Sequence, residues 1–280
     1  MAFNLFPGGG NRLDLPPALS QRTLVEQLRF LHASWARMPL PMILLMAGIA
    51  GIVWPYVLAS KFLAWSFGAL GVLAIRGLVI RSLVRTGELE RNPQRSAAWL
   101  WALTFLSGCS SGSAAYVFLP TLPGVEQGFL TMILCGWGAA AVSNNGAHPP
   151  IHRAFALGFY PPLIGFWALH GTRGGQIAAI LLLALAILMT LSAGQFGALT
   201  VRSIAMRFEN EALVAQLTDA NAVADRERRS AVDANRGKAR FLAAASHDLR
   251  QPVHALGMFV GALRREPMGA QAQQLIAHIE

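Results

Sequence analysis

Between residues 39 and 197 the chain alternates long apolar runs with short polar breaks. Beyond residue 198 the apolar residues thin into a stripe among charges. Six apolar stretches can be drawn, at about 39–59, 62–80, 97–119, 128–142, 154–170 and 177–197. Each comes near the roughly 17–25 residues with which a helix crosses a bilayer core. The fourth is short, and the second carries Arg76 at depth. Glycine and proline punctuate the breaks, so the pattern predicts an all-α membrane domain of about six transmembrane helices. The outer breaks, 60–61, 120–127 and 171–176, are too short for an extracytoplasmic domain.

Two amphipathic segments flank this region. Within 21–36, Leu24, Val25, Leu28 and Leu31 share one side, with Arg22 and Arg29 elsewhere, which predicts a helix lying on the inner leaflet. From 199 to 240 the chain is polar, charged and free of proline. Leu213, Leu217, Ala220, Ala224, Ala231 and Ala234 follow an approximate heptad seam interrupted by Glu227 and Lys238, the pattern of a marginal two-stranded coiled coil. A single solvated helix laced with charge pairs is the alternative. From residue 241, Leu242, Ala245, Leu249, Val253, Leu256, Val260 and Leu263 fall on one stripe at helical spacing.

Composition agrees with a membrane class: 54% of residues are hydrophobic and only 13% charged. The formal charge of +9 comes almost wholly from arginine, spread through breaks that flank apolar runs instead of gathered with aromatics in one stripe. That distribution favours anionic lipid head groups as the partner and speaks against nucleic acid. Counted up to residue 197 with an inside N-terminus, Arg12, Arg22, Arg29, Arg37, Arg76, Arg81, Arg85, Arg91, Arg95 and Arg153 fall on the cytoplasmic side, and only Lys61 and Arg173 outside. The asymmetry predicts a bacterial inner-membrane protein with both termini in the cytoplasm. The first span lacks the short apolar core and cleavage site of a signal peptide, so no processing is expected.

The chemistry concentrates in the run from Phe241 to Pro252, which contains Ser246-His247-Asp248-Leu249-Arg250-Gln251. His247 lies nearly opposite the apolar stripe, with Gln251 and His254 on its own face. A core-filling histidine would sit on the stripe. Asp248 can accept a hydrogen bond from one ring nitrogen and leave the other as a neutral nucleophile, which in-line attack on a γ-phosphate requires. Arg250 balances charge, and Pro252 is expected to kink or loosen the helix one turn beyond the histidine. A solvated histidine on an amphipathic helix is the plain alternative.

Ser-His-Asp-Leu-Arg-Gln-Pro resembles the H-box of the dimerisation and phosphotransfer (HisKA) domain of bacterial sensor histidine kinases, and the stretch 235–257 is similar to a subgroup common among hybrid kinases. The resemblance covers about the last 50 residues. It implies that His247 is the phosphoacceptor, Asp248 its acid/base partner, and the domain a four-helix bundle made from two chains. It further implies a homodimer that passes phosphate to an aspartate of a response regulator or receiver domain. The commoner pattern has Glu after the histidine and Thr or Asn four residues on. Asp248 and Gln251 depart from it, and Gln251 as the residue positioning water for a phosphatase reaction is larger than usual.

Family members continue into an ATP-binding domain with Asn-rich and Gly-rich boxes. None occurs before Glu280, and no phosphate loop occurs elsewhere. ATP and Mg are therefore expected to be bound by a domain absent from these residues, and truncation is the favoured explanation. The expected organisation is a cytoplasmic segment (1–38), a transmembrane sensor (39–197), a signalling helix (198–240) and the start of the phosphoacceptor domain (241–280). A small transporter or intramembrane hydrolase would need more ionisable residues at depth. A non-catalytic receptor with a C-terminal partner-binding helix is the other reading.

Several clusters within the spans ask for a role. Ser107, Ser111, Gly108 and Gly112 are spaced by fours, as close helix packing requires, with ligand contact as the alternative. Gly108-Cys109-Ser110-Ser111-Gly112 fits a hydrolase elbow only on a strand-to-helix turn, which is not expected here. Cys109 and Cys135 fall at similar depth and are read as inert. The run 143–153, with His148 and His152 split by Pro149-Pro150, is read as a cytoplasmic turn. Tyr160-Pro161-Pro162 is expected to kink or break the fifth span and, with Trp137 and Trp167, to line a cavity.

Overall fold

The computed structural model describes residues 17–35, 39–263, 265 and 269, and every described element is helical. Arg12, Arg37 and the stretch 270–280 of the expected phosphoacceptor domain lie outside the described residues. In chain order the helices are α1 (Pro17–Trp35), α2 (Pro39–Val53), α3 (Ala59–Arg85), α4 (Glu88–Arg91), α5 (Pro93–Gly112), α6 (Ala114–Phe118), α7 (Gly124–Asn145), α8 (Pro149–Leu169) and α9 (Arg173–Leu263). A single 3₁₀ turn, Leu119–Thr121, follows α6.

Among the described residues, four stretches have the length and hydropathy to cross a bilayer: Ala59–Arg85, Pro93–Thr121, Gly124–Asn145 and the apolar part of Arg173–Ala262. Leu40–Val53 is a shorter apolar helix. The chain divides into two compact units, Met1–Phe208 and Glu209–Glu280, and the division falls within α9.

In the first unit the main core joins α2, α3, α6, α7 and α8 through Ile49, Phe62, Trp65, Ala69, Phe118, Leu130, Leu134, Phe159 and Leu163. The closest backbone approach is between α5 and α8, and it depends on glycine. A Cβ on Gly108 would run into the carbonyl oxygen of Phe155, and one on Gly112 would come within 2.6 Å of that of Phe159. Gly158 reciprocates, with Cys109 N and Phe105 O each 2.6 Å from where its Cβ would stand. Ser107 and Ser111 are buried beside this seam, so the structure uses the four-residue repeat of small residues for packing. The segment holding the hydrolase-like pattern is helix, with no strand beside it.

Several boundaries differ from the sequence-based expectation. The first reversal falls at 54–58 instead of 60–61, because Pro55 disfavours helix at Trp54, while Ser60 and Lys61 already lie in the first turn of α3. The third stretch is interrupted at Ser113, where Trp65 Nε1 donates to Ser110 O and to Ser113 Oγ, each at 3.1 Å. Pro161 and Pro162 do not break α8, which continues to Leu169. Each proline removes one donor and leaves the remaining ladder intact, and packing against α5 holds the rest. The run 143–153 is not a simple turn: Pro149 and Pro150 occupy the first positions of α8, and Ile151 and His152 are fully buried in its first turn.

The stripe of α1 expected to meet lipid is instead covered by protein. Leu28 and Leu31 are buried with Ile80, Leu89, Leu100 and Ile151, and Leu24 and Val25 pack at the edge. Gln27 Nε2 donates to Ala147 O at 2.6 Å, and Arg29 bridges Glu26 and Glu90 at 2.8 Å each. The Arg29 guanidinium holds the Glu90 carboxyl below its usual range, and Glu90 in turn raises Arg29.

Candidate functional site

The second unit presents its candidate chemistry on α9. Helix runs through the whole segment 241–252 and on through Pro252, so the proline does not end it. Losing one N–H leaves a turn with a missing bond, which a helix tolerates by bending.

His247 is 68% exposed at its side chain, and its Nδ1 stands 3.5 Å from Asp248 Oδ1, itself 79% exposed. That separation exceeds the roughly 2.7–3.2 Å of a good N–H···O bond, so the carboxylate acts on the ring mainly through charge. A carboxylate on the Nδ1 side favours the tautomer protonated there and turns the lone pair of Nε2 outward. Arg250, Gln251 and His254 are all exposed on the same stretch of α9. Within two turns the helix carries each residue singled out from the sequence: a histidine, a carboxylate, a guanidinium and an amide.

Opposite them, Leu242, Leu249, Val253 and Leu256 are 57–67% exposed, while Ala245 is half-buried and Val260 buried. Such a run of large apolar side chains open to solvent calls for a covering surface. The seam before it is similar: Leu213, Leu217, Ala220, Ala224, Ala231 and Ala234 are all exposed, and Arg236 reaches Asp233 at 4.0 Å on the helix surface.

A second concentration of polar groups lies in the first unit, between α2, α3 and α7. Arg76 on α3 is 6% exposed, and its Nη2 donates to Asn145 Oδ1, at the end of α7, over 2.6 Å. No carboxylate pairs with Arg76 among the described residues. The pair closes one end of a cleft of about 540 Å³ walled by Met42, Met46, Leu70, Trp137 and Phe155. Close by on α8, His152 is completely buried with neither ring nitrogen hydrogen-bonded, and Tyr160 Oη is likewise buried without a partner.

In the sequence Arg76 is an irregularity in an apolar run and Asn145 part of an expected turn, and nothing local pairs residues 69 positions apart. A charged residue at depth was the available signal. Of the residues expected to line one cavity, Trp137 lines this cleft, whereas Tyr160, Pro161, Pro162 and Trp167 do not, the Trp167 indole donating instead to Thr131 Oγ1 at 3.1 Å. Cys109 and Cys135 are free thiols, and among the described residues no three His, Cys, Asp or Glu side chains are placed to hold a metal.

No family model, no curated protein and no solved structure matches the chain. Its functional reading therefore stands on its own residues.

Proposed function

We propose that the chain is the sensor and phosphoacceptor portion of a membrane-bound sensor histidine kinase. In this reading His247 takes the γ-phosphate of ATP and passes it to an aspartate of a response regulator. The observation that carries the reading is the exposed His247 on α9, with a carboxylate 3.5 Å from Nδ1 and the residues Ser246 to Pro252 around it.

Attack requires an unprotonated Nε2 in line with the γ-phosphorus. The Nε2–P bond forms as the bond from phosphorus to the bridging oxygen breaks, and ADP leaves with that electron pair. Asp248 supports this step by holding the proton on Nδ1 and by stabilising the cationic ring that develops. Arg250 neutralises charge at the phosphate's approach. ATP and Mg belong to a separate ATP-binding domain that docks on the exposed face. The apolar stripes at 213–234 and 242–263 support a homodimer, first as a coiled coil and then as a four-helix bundle. The ten-to-two arginine and lysine asymmetry supports six spans in the bacterial inner membrane, with His247 on the cytoplasmic side where ATP is found.

The test supplies the full chain in membranes with an ATP-binding domain of a sensor histidine kinase and γ-labelled ATP. The expected product is an acid-labile, base-stable phosphate, lost in His247→Gln and formed about 100- to 10,000-fold more slowly in Asp248→Asn. Labelling that survives His247→Gln but disappears in His254→Gln moves the acceptor one turn on. No acid-labile label in any variant overturns the kinase reading.

A further inference from the structure

The first unit contains a cationic, largely dehydrated recognition point that its own residues leave short of a counter-charge. Arg76 is all but buried, yet among the described residues its hydrogen bond goes to a neutral amide, Asn145 Oδ1. A guanidinium has five donors and a full charge, and removing it from water without an anion is costly. The neighbouring polar groups do not supply one. Ser107 and Asn144 at the cleft wall are neutral, and the described acidic side chains form no ion pair with Arg76.

The cleft that Arg76 closes is otherwise apolar: Met42, Met46, Leu70, Trp137 and Phe155 wall it. Ile43 and Leu70 on its rim are 64% and 41% exposed on a surface where lipid would lie. Its volume of about 540 Å³ falls within the roughly 300–1,000 Å³ of small-molecule sites. A cation at one end and an apolar trough leading away from it complement an amphiphile with an anionic head and one tail.

We infer that this cleft binds a single-chain aliphatic carboxylate, with the carboxylate on Arg76 and the chain along Met42, Met46 and Leu70. A carboxylate matches the planar fork of one guanidinium and cancels its single charge. A phosphate monoester would leave charge unbalanced, and a phosphodiester would need room for two substituents beside Asn145. The chemistry is shared with membrane lipid, whose acyl chain and anionic head could enter from the bilayer, so the test separates the two sources. The site does not depend on the phosphoacceptor reading, and no phosphorylation enters the measurement.

Full-length chain in phosphatidylcholine nanodiscs is titrated with radiolabelled dodecanoate, with empty nanodiscs as the partition background. Saturable binding is expected, weakened about 10- to 100-fold by Arg76→Gln, the effect of losing a charged hydrogen-bond partner. Dodecanol should bind at least about tenfold more weakly than dodecanoate and be indifferent to that substitution. Gly136→Leu supplies the second arm: Gly136 lines the cleft and a Cβ there meets nothing within 4 Å, so the variant should fold, fill the trough and abolish binding. If Arg76→Gln does not fold, Gly136→Leu and the alcohol decide alone. Equal binding of acid and alcohol, or full binding to Gly136→Leu, overturns the proposal. Displacement of dodecanoate by nanodiscs containing dilauroylphosphatidylglycerol overturns it in favour of a phospholipid.

Discussion

Leu134 on α7 and Leu217 on α9 are the same residue in the same kind of helix, yet one is 1% exposed and the other 63%. In the first unit, neighbouring helices of the same chain cover one face of each long helix. The apolar residues that remain open there, such as Phe67 at 73% and Ile180 at 66%, interrupt stretches nearly free of charge. In the second unit the open leucines alternate with arginines, aspartates and glutamates along one helix. Exposed apolar surface therefore has two meanings here. Where charges are absent, hydrocarbon is the natural solvent. Where charges fill the rest of the helix, water is the solvent and the stripe needs another protein surface.

The largest effect that would sharpen this contrast comes from glycine. Gly112→Val places a branched side chain where the Phe159 carbonyl and Cα stand 2.6 and 2.9 Å from the new Cβ. Backbone cannot yield as a side-chain tip can, so the first unit should lose about 3 kcal/mol, read as a lowered unfolding midpoint in detergent. Gly237→Ala, in open space on α9, should gain up to about 1 kcal/mol from helix propensity. Similar outcomes at both positions would mean that α5 and α8 do not meet as described.

A smaller and more specific effect concerns the seam of α9. With Cys109 and Cys135 replaced by serine, Leu217→Cys should form an interchain disulfide on mild oxidation in membranes, and Asp219→Cys, turned away from the seam, should do so far less. Equal cross-linking at the two positions would remove the heptad seam and restore the solvated single helix.

The smallest effect is at the Arg29–Glu90 bridge, which joins α1 to α4 while both side chains stay roughly half exposed. Solvent screening limits Glu90→Gln to about 0.2–1 kcal/mol. Because the folded carboxyl titrates below its ordinary value of 4.5, the bridge contributes fully above that pH and is lost as pH falls through the lowered value. Native and Glu90→Gln proteins should therefore differ in unfolding midpoint near neutral pH and converge in acid. A gap that persists or widens in acid would exclude the ion pair as its source.

Much was legible in the linear pattern because it depends on residues close in sequence. Hydropathy over windows of about 20 residues located the apolar helices, and helical phase placed His247 away from the stripe of Leu242, Leu249, Val253 and Leu256. Both are properties of one helix, set by a rise and a turn that do not change with context. Asp248 beside His247 needed only adjacency.

Tertiary packing decided the rest. Whether Pro161 and Pro162 break a helix depends on what the helix leans against, and α5 holds α8 through Gly108, Gly112 and Gly158. An amphipathic α1 reads alike whether its leucines face lipid or protein; the presence of Ile80, Leu89, Leu100 and Ile151 within reach selected protein. Arg76 acquired a partner and a cleft only when the ends of α3 and α7 came together, since no local rule links two positions in separate helices. Sequence by itself determined which segments are helical and on which face of its helix His247 stands, because those follow from short-range periodicity. The structure alone decided which faces are covered and which polar groups meet, because burial is a property of the assembled chain.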